Sequence, residues 1–345
     1  MRAFKTRFFP SLLLLPVLCL GFSACEKKAG PSSPESLTIY AYDSFVSEWG
    51  PGPEMARLFE AREGIKVNFV SAGDAGEVLA QAILEKKAPQ GDLIIGIDNN
   101  LLSRALSEGI LEPYRSSLAG LIPGELILDP DFYLTPFDYG FFAINYDSEK
   151  IINPPLSLEE LCDPKYRNQL VAIDPRTSTP GLGFLLWTVK VYGDNYQDYW
   201  RRLKPNILTV AGGWSTGYAL FTSGEAPLVL SYTTSPPYHV EYEDSTRYRA
   251  AIFNEGHYLQ IEGAGILKGG ANPEAAGKFI DALLSPEFQA LLPLTNYMYP
   301  VNPETPLPAS YDYAPKPGII LNIDADVLEE NREAYLNGWL QVMGN

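Results

Sequence analysis

Aromatic and small hydroxyl side chains recur where the predicted strands of this sequence end. Tyr42 follows the first strand, Ser178 and Thr179 follow a later one, and Trp214 follows the next. Ligands of open α/β sheets bind beyond the carboxyl ends of the strands, so we expect these side chains to meet at one site. Aromatic rings stack on flat or cationic groups, which predicts a site for such a ring. The stacking candidates are Tyr42, Trp214, Tyr232, Tyr238 and Tyr297.

Two predicted helix starts place backbone N–H groups near the same strand ends. The tract 178–181 offers a hydroxyl N-cap and a proline in the first turn, and the tract 212–215 (Gly-Gly-Trp-Ser) is a second start of this kind. Helix starts attract phosphate and other anions, although each could also be a cap and nothing more. Asp74 lies three residues before Glu77, the spacing of a capping box, which predicts that Asp74 is an N-cap. Its carboxylate could equally bind a cation or an amino group of a ligand, and both roles can hold at once.

The sequence contains few residues of the kind that catalysis or metal binding requires. Only two histidines are present, and no zinc spacing, Walker loop or Gly-x-Ser-x-Gly elbow occurs. We therefore expect no enzyme, no catalytic residue, no metal site and no cofactor. Glycosidase activity, which needs only two carboxylates, remains an open alternative. Each candidate carboxylate is better explained as a cap, turn or hinge residue. These candidates, each beside a predicted strand, are Asp43, Asp98, Asp138 and Asp174.

The N-terminus has the pattern of an export signal. Basic residues precede an apolar run from Phe8 to Phe22 that is too short to span a bilayer, and Cys25 follows small residues as in a lipobox. We predict a lipoprotein signal peptide over 1–24, then a lipidated Cys25 and a flexible tether over 25–36. The protein should be exported, periplasmic or at the cell surface, and anchored to a membrane. Cys162 alone then remains in the folded part, so no disulfide framework is possible.

The apolar pattern predicts two sets of alternating strands and helices. Their strands are expected over 37–42, 65–70, 92–97, 137–146, 170–173, 207–210, 228–231 and 258–267, and their helices over 54–63, 78–87, 183–192, 215–222, 273–284, 286–292 and 325–342. The economical arrangement is two α/β lobes joined by two crossing segments, with lobe one over 37–138 and 263–345 and lobe two over 139–262. A formal charge of −16 makes nucleic acid an unexpected partner.

Eight blocks of sequence, in order, make the chain similar to the thiamine-binding proteins of bacterial ABC importers. They are YDSFVSEWGPGP (42–53), GDLIIGIDNNLL (91–102), TPFDYGFFAINYD (135–147), DPRTSTPGLGFLLW (174–187), GGWSTGY (212–218), LVLSYTTSPPYH (228–239), FNEGHYLQIEGAG (253–265) and NYMYPV (296–301). The resemblance implies a type II periplasmic binding protein fold with the ligand cleft between its lobes. It departs from the family where Tyr297 replaces an expected Trp and where 73–76 lacks an acidic pair.

The resemblance also implies a function and a set of ligand contacts. The protein would capture thiamine or its mono- or diphosphate and deliver it to an ABC permease and, through the permease, to the ATPase subunit. We expect it to be a monomer. The implied ligand-binding residues are Tyr42, Asp74, Ala75, Ser178, Thr179, Trp214, Tyr232, Thr233, Thr234, Ser235, Tyr238 and Tyr297.

Two other functions remain open at this point. Sister branches of the fold bind other cationic or oxyanion-bound solutes, such as a polyamine or ferric iron. A thiamine-degrading enzyme of the same fold uses a cysteine nucleophile, for which Cys162 is the candidate here.

Overall fold

A computed structural model describes residues 36–344, so the signal-peptide and Cys25 predictions lie outside the described residues. The strands are β1 Ser36–Tyr40, β2 Lys66–Val70, β3 Leu93–Asp98, β4 Leu111–Glu112, β5 Thr135–Asp147, β6 Leu170–Ile173, β7 Ile207–Ala211, β8 Leu228–Tyr232, β9 Tyr248–Ala250, β10 His257–Leu267, β11 Tyr299–Pro300 and β12 Ile320–Leu321. The helices are α1 Asp43–Val46, α2 Pro51–Glu63, α3 Ala75–Leu84, α4 Leu102–Ser107, α5 Leu158–Leu161, α6 Thr179–Tyr192, α7 Tyr196–Leu203, α8 Trp214–Thr222, α9 Pro236–Glu243, α10 Pro273–Leu283, α11 Pro286–Gln289, α12 Leu292–Thr295 and α13 Ala325–Met343.

The strands follow the order β2-β1-β3-β10-β5-β8-β6-β7. In the first half, β1 runs parallel to β2 and β3, while β10 is antiparallel to β3. In the second half, β6 is parallel to both β7 and β8. Both central strands, β3 and β6, are buried along their whole length, as their unbroken apolar runs predict for strands covered on both faces.

The chain crosses between the two halves twice, first along β5 and then from β9 to β10. Residues 135–141 of β5 pair with β10, whereas residues 142–146 pair with β8. The chain returns from β9, which pairs with the end of β5, to β10 in the first half. Two α/β lobes joined by two crossings are therefore confirmed. The lobe bounds 37–138 with 263–345 and 139–262 stay a prediction.

The C-terminal helix α13 contacts both lobes. It packs against α4 in the first lobe and against α6 and α7 in the second. Trp339 meets Trp200 edge to face at 5.9 Å, and the Nζ of Lys204 donates to the carbonyl of Val342 at 2.8 Å. The helix thus packs apolar residues against both lobes.

Most predicted elements are found, with shifted ends where proline was misjudged. The helix predicted from residue 54 begins earlier, at Pro51, because Gly50 is its N-cap and proline suits a first turn, which needs no N–H donor. For the same reason α6 begins at Thr179 rather than at 183. The helix predicted over 286–292 is two short helices, α11 and α12, and Pro293 lies in the first turn of the second. Sequence analysis missed α1, α4, α5, α7 and α9 altogether, as well as the short strands β4, β9, β11 and β12.

None of the helices described over residues 36–344 is both long and apolar enough to cross a membrane.

His257, the first residue of β10, should stay uncharged in mildly acidic solution. Its ring is fully buried, Nε2 accepts from the Phe253 N–H at 2.8 Å, and Nδ1 donates to the Phe142 carbonyl at 2.7 Å. Burial lowers the pKa of His257 to about 4. Since the folded pKa lies below the unfolded value of about 6.5, its contribution to stability is complete above pH 6.5 and is lost as the pH falls toward 4.

Nitrogen-15 NMR of the imidazole rings checks this expectation. With His239→Asn removing the other histidine, the remaining ring should show a neutral Nδ1–H tautomer at pH 5.5. A titration midpoint near 6.5 in the folded protein would contradict it.

Candidate ligand-binding cleft

The cleft is a cavity of about 430 Å³ at the carboxyl ends of strands from both lobes. It is lined by residues that follow β1, β2, β6, β7 and β8, together with β10 and the segment after α12. This is the position expected of a ligand site in an α/β sheet. Seven aromatic side chains line it: Tyr42, Trp49, Trp214, Tyr218, Tyr232, Tyr238 and Tyr297.

Tyr42 is held at the floor of the cleft by its neighbours. It directly precedes α1, and its ring meets Phe45 edge to face at 5.6 Å. Gly96 has φ 101°, and a Cβ there would lie 2.4 Å from the Tyr42 ring, so only glycine suits this position in β3. The Tyr42 hydroxyl donates to Glu262 at 3.0 Å. These contacts fix the Tyr42 side chain where it lines the cavity.

Trp214 forms the facing wall from the second lobe. It opens α8, and its indole Nε1 donates to Ser231 Oγ at 2.8 Å. The ring stacks on Tyr218 at 5.0 Å between centroids, and the Tyr218 hydroxyl contacts His239 Nε2 at 2.9 Å. An aromatic wall fixed by a hydrogen bond and a stacking partner loses little entropy when a ligand binds.

The remaining aromatic candidates close other sides of the cavity. Tyr238, in α9, meets Tyr297 edge to face at 5.4 Å. Tyr297 adopts φ 54°, a left-handed conformation that bulky residues seldom adopt and that is concentrated at functional sites. Tyr232 donates its hydroxyl to Gln260 at 2.6 Å, so its ring orientation is set by β10.

Asp74 connects the two lobes. Its side chain accepts from the Ala75 N–H at 2.7 Å, and Glu77 accepts from the Asp74 N–H at 3.1 Å, which confirms the predicted capping box at the start of α3. The second oxygen of Asp74 accepts from Ser178 Oγ at 2.7 Å and from the Trp214 N–H at 3.0 Å, both in the other lobe. Burial raises the pKa of Asp74, while the three donors oppose that shift.

The two helix starts differ from the predicted caps. Ser178 is the N-cap residue of α6, but its hydroxyl donates to Asp74 and caps nothing, so the predicted hydroxyl cap is wrong. At α8 the N-cap is Gly213, and the first N–H, of Trp214, donates to the same carboxylate. A protein carboxylate from the opposite lobe therefore lies at the α8 start, where the helix dipole favours negative charge.

Eight of the twelve predicted site residues line the cavity, and four lie behind it. Ala75, Ser178, Thr233 and Thr234 are buried next to lining residues. The hydroxyls of Thr233 and Thr234 have no hydrogen-bond partner among the described residues. The lining residues from the prediction are Tyr42, Asp74, Thr179, Trp214, Tyr232, Ser235, Tyr238 and Tyr297.

Sequence analysis missed several lining residues, above all Glu262 and Asn296. Glu262 is 6 % exposed and is the one acidic residue of β10, so an acid within a mostly buried strand was an available signal. Among the described lining residues, three are acidic, namely Asp74, Glu243 and Glu262, and none is lysine, arginine or histidine. The other missed residues are Ser44, Trp49, Pro180, Ser215, Tyr218, Ala219, Thr222, Glu243 and Met298.

The four aspartates considered for glycosidase chemistry do not line the cavity. Asp98 accepts from the N–H groups of Asn100 and Leu101, and Asp174 pairs with Arg176. Asp43 accepts from Ser215 across the lobes, while Asp138 lies behind Glu262. They hold turns, strand ends and lobe contacts together.

Cys162 lies away from the cleft. It is the C-cap residue of α5, and burial raises the pKa of its thiol to about 12, so little thiolate exists at neutral pH. Within residues 36–344, no group of three or more His, Cys, Asp and Glu side chains is arranged to hold a metal ion.

Comparison with known proteins agrees with this geometry. Residues 88–331 match the bacterial extracellular solute-binding protein family. The chain is 45 % identical over 308 residues to the thiamine-binding periplasmic protein of Brucella abortus, covering 89 % of this chain and 91 % of that protein. It is 42 % identical over 306 residues to the Escherichia coli K12 protein of the same name, covering 88 % and 92 %.

A solved structure described as a periplasmic thiamin binding protein superposes with a TM-score of 0.86 at 40 % identity, covering 92 % of this chain and 98 % of that one. These relatives are named as binding proteins, which agrees with a cleft of aromatic and acidic walls. The chain therefore belongs to the bacterial extracellular solute-binding protein family, in the branch that contains the thiamine-binding periplasmic proteins.

Proposed function

We propose that this protein captures thiamine, or thiamine mono- or diphosphate, between its lobes and delivers it to the permease of an ABC importer. The observation that carries the proposal is a cleft with seven aromatic and three acidic side chains, in a chain 45 % identical to a thiamine-binding relative. Thiamine joins an aminopyrimidine to a cationic thiazolium ring. Such a ligand suits aromatic faces, which attract cations by about 0.5–2 kcal/mol each, and carboxylates, which accept from its amino group.

Capture is reversible and breaks no covalent bond. Tyr42 and Tyr297 come from the first lobe and Trp214 and Tyr238 from the second, so a ligand between them bridges the lobes and favours the closed form. The permease would recognise that closed form and pass the solute on under the action of its ATPase subunit. The protein acts as a monomer and uses no cofactor or catalytic residue.

The alternative functions are less well supported. Ferric iron is a hard cation that requires a cluster of phenolate or carboxylate oxygens, whereas the hydroxyls of Tyr42 and Tyr232 in this cleft donate to Glu262 and Gln260. A polyamine lacks a flat ring for these faces to stack on. A thiamine-degrading enzyme would need its nucleophile in the cleft, and Cys162 is not among the lining residues. Unchanged thiamine after long incubation with the protein would agree with binding alone.

Calorimetry tests the proposed function. The exported protein with Cys25→Ser would be stripped of bound solute by unfolding and refolding, then titrated with thiamine, both phosphates, spermidine and ferric citrate. We expect micromolar or tighter binding, about −8 kcal/mol or better, of at least one of the three thiamine forms. Spermidine and ferric citrate should not bind. Binding of spermidine or iron without binding of thiamine would agree with capture of a solute between the lobes but would overturn thiamine as that solute.

The lipid anchor gives a separate prediction. Acylated Cys25 is proposed to hold the protein at a membrane, so Cys25→Ser should move it to the soluble fraction while leaving ligand affinity as it was. Cys19→Ser, within the predicted signal peptide, is the matched control and should remain membrane-bound. Fractionation followed by immunoblotting measures the distribution, and membrane retention of the Cys25→Ser protein would argue against the anchor.

A further inference from the structure

A pair of buried carboxyl groups lies at the floor of the cleft, on the two strands that connect the lobes. Glu262 of β10 and Asp138 of β5 are directly opposite in the antiparallel register. Their exposed fractions are 6 % and 0 %, and Glu262 lines the cavity. Both carboxyl groups lie against one amide, because Asn296 Nδ2 is 2.6 Å from Asp138 Oδ2 and 3.5 Å from Glu262 Oε2. Two carboxylates at such a distance cannot both be charged without a large cost.

The hydrogen bonds around the pair leave one position that a shared proton fills. Glu262 accepts from the Tyr42 hydroxyl at 3.0 Å, and one oxygen of Asp138 accepts from Asn296 Nδ2 at 2.6 Å. The other oxygen of Asp138 is buried and has no donor among the described residues. A proton held between Asp138 and Glu262 satisfies that oxygen, since a protonated carboxyl group is a donor.

Every described group that influences the pair is neutral or acidic. Tyr42 comes from the segment after β1, Asp98 lies opposite Glu262 on β3, and Asn296 follows α12. Tyr232 of β8 interacts electrostatically with Glu262 and with Asp74, which lines the cleft. Tyr311 interacts in the same way with Asp138. Burial raises the pKa of Asp138 to about 7 and that of Glu262 above its usual range. Within residues 36–344, no lysine, arginine or histidine lines the cavity beside this pair.

We propose that Glu262 is the charge-selecting residue of the cleft, and that a cationic ligand replaces the proton which Glu262 and Asp138 share in the ligand-free protein. When a cation enters, Glu262 becomes its counter-ion and one proton passes to the solvent. No bond other than the O–H bond of the shared proton is broken. This inference rests on the proposed function, because it assigns the positive charge of thiamine to a particular partner.

Calorimetry in buffers of different ionisation enthalpy counts the protons released. For the Cys25→Ser protein at pH 7 we expect release of a substantial fraction of one proton per thiamine bound, and an affinity that rises with pH between 6 and 8. A neutral analogue, in which a thiophene replaces the thiazolium ring, should bind without proton release. Thiamine binding that releases no proton and is independent of pH would overturn the inference but leave the proposed function intact.

Two isosteric variants test the separate roles of the pair. Glu262→Gln mimics a permanently protonated Glu262, so thiamine affinity should fall by about 10- to 100-fold, the scale of a lost ion pair in a partly desolvated site, while affinity for the neutral analogue changes far less. Asp138→Asn places a permanent donor against an ionised Glu262. Its proton release should disappear and its affinity should stop depending on pH.

Glu243→Gln provides the comparison, because it removes another lining carboxylate whose side chain is 41 % exposed and bound to His239. Its loss of affinity should be less than about threefold, since solvent screens an exposed charge. Equal losses for thiamine and the neutral analogue in Glu262→Gln would show a packing effect and overturn charge selection. Absence of binding of thiamine and of both its phosphates by the parent protein would instead overturn the proposed function itself.

Discussion

Trp214→Ala is expected to weaken thiamine binding by about 100-fold, the size of effect seen when a central aromatic anchor is truncated. The indole supplies a wall of the cleft, and its orientation is fixed by Ser231 and Tyr218. Its removal takes away both the stacking surface and its preorganisation. Because the side chain is only partly buried, the folded state should survive, with an unchanged circular dichroism spectrum.

Two further variants separate stacking from position. Trp214→Phe keeps an aromatic face but loses the hydrogen bond to Ser231, so its affinity should lie between those of the parent and Trp214→Ala. Trp49→Ala removes a second tryptophan of the cavity, whose ring centroid is 6.3 Å from that of Trp214 and whose side chain is 49 % exposed. Its affinity for thiamine should fall less than about tenfold, because only the apolar surface that leaves water contributes to binding. A folded Trp214→Ala protein with parental affinity would remove this residue from the site.

Asp74→Ala is expected to be the second most damaging change, with a loss of affinity of about 30-fold or more. One carboxylate oxygen accepts two hydrogen bonds from the other lobe, and bonds to charged groups each contribute about 1.5–3 kcal/mol. Without the carboxylate, the closed form loses both bonds and leaves the Trp214 N–H without its acceptor. The free energy of unfolding should also fall by about 1 kcal/mol through the lost cap of α3.

Glu77→Ala is the matched control for Asp74→Ala. It removes the other half of the same capping box but leaves the contacts to Ser178 and Trp214 in place. Urea unfolding should show similar small losses of stability for the two variants, whereas calorimetry should show a large loss of affinity for Asp74→Ala only. X-ray scattering of the ligand-bound proteins should show a larger radius of gyration for Asp74→Ala. Similar affinities in the two variants would limit Asp74 to a local capping role.

Local patterns in the sequence were sufficient to predict much of this protein. The eight strands of the order β2-β1-β3-β10-β5-β8-β6-β7 and the helices of nine or more residues follow from apolar runs and alternation. The capping box at Asp74 and Glu77 depends on residues three positions apart. The rule that ligands bind beyond strand ends led to Tyr42, Trp214 and Tyr238, all of which line the cavity. These features were predictable because a few neighbouring residues decide them. The family resemblance depended likewise on contiguous blocks.

Contacts between distant residues were decided only by the tertiary structure. Asp74 bonds to Ser178 and Trp214, which lie 104 and 140 positions further along the chain, so a residue with a good local role acquired a second one between the lobes. The pairing of Glu262 with Asp138 requires the antiparallel register of β10 with β5. No local pattern of charge indicates which carboxyl groups will share a buried site. Sequence alone thus determined the helices and strands and the kinds of side chain available to the cleft. Strand order and register decided which acidic side chains meet there, because electrostatic coupling depends on distance in space.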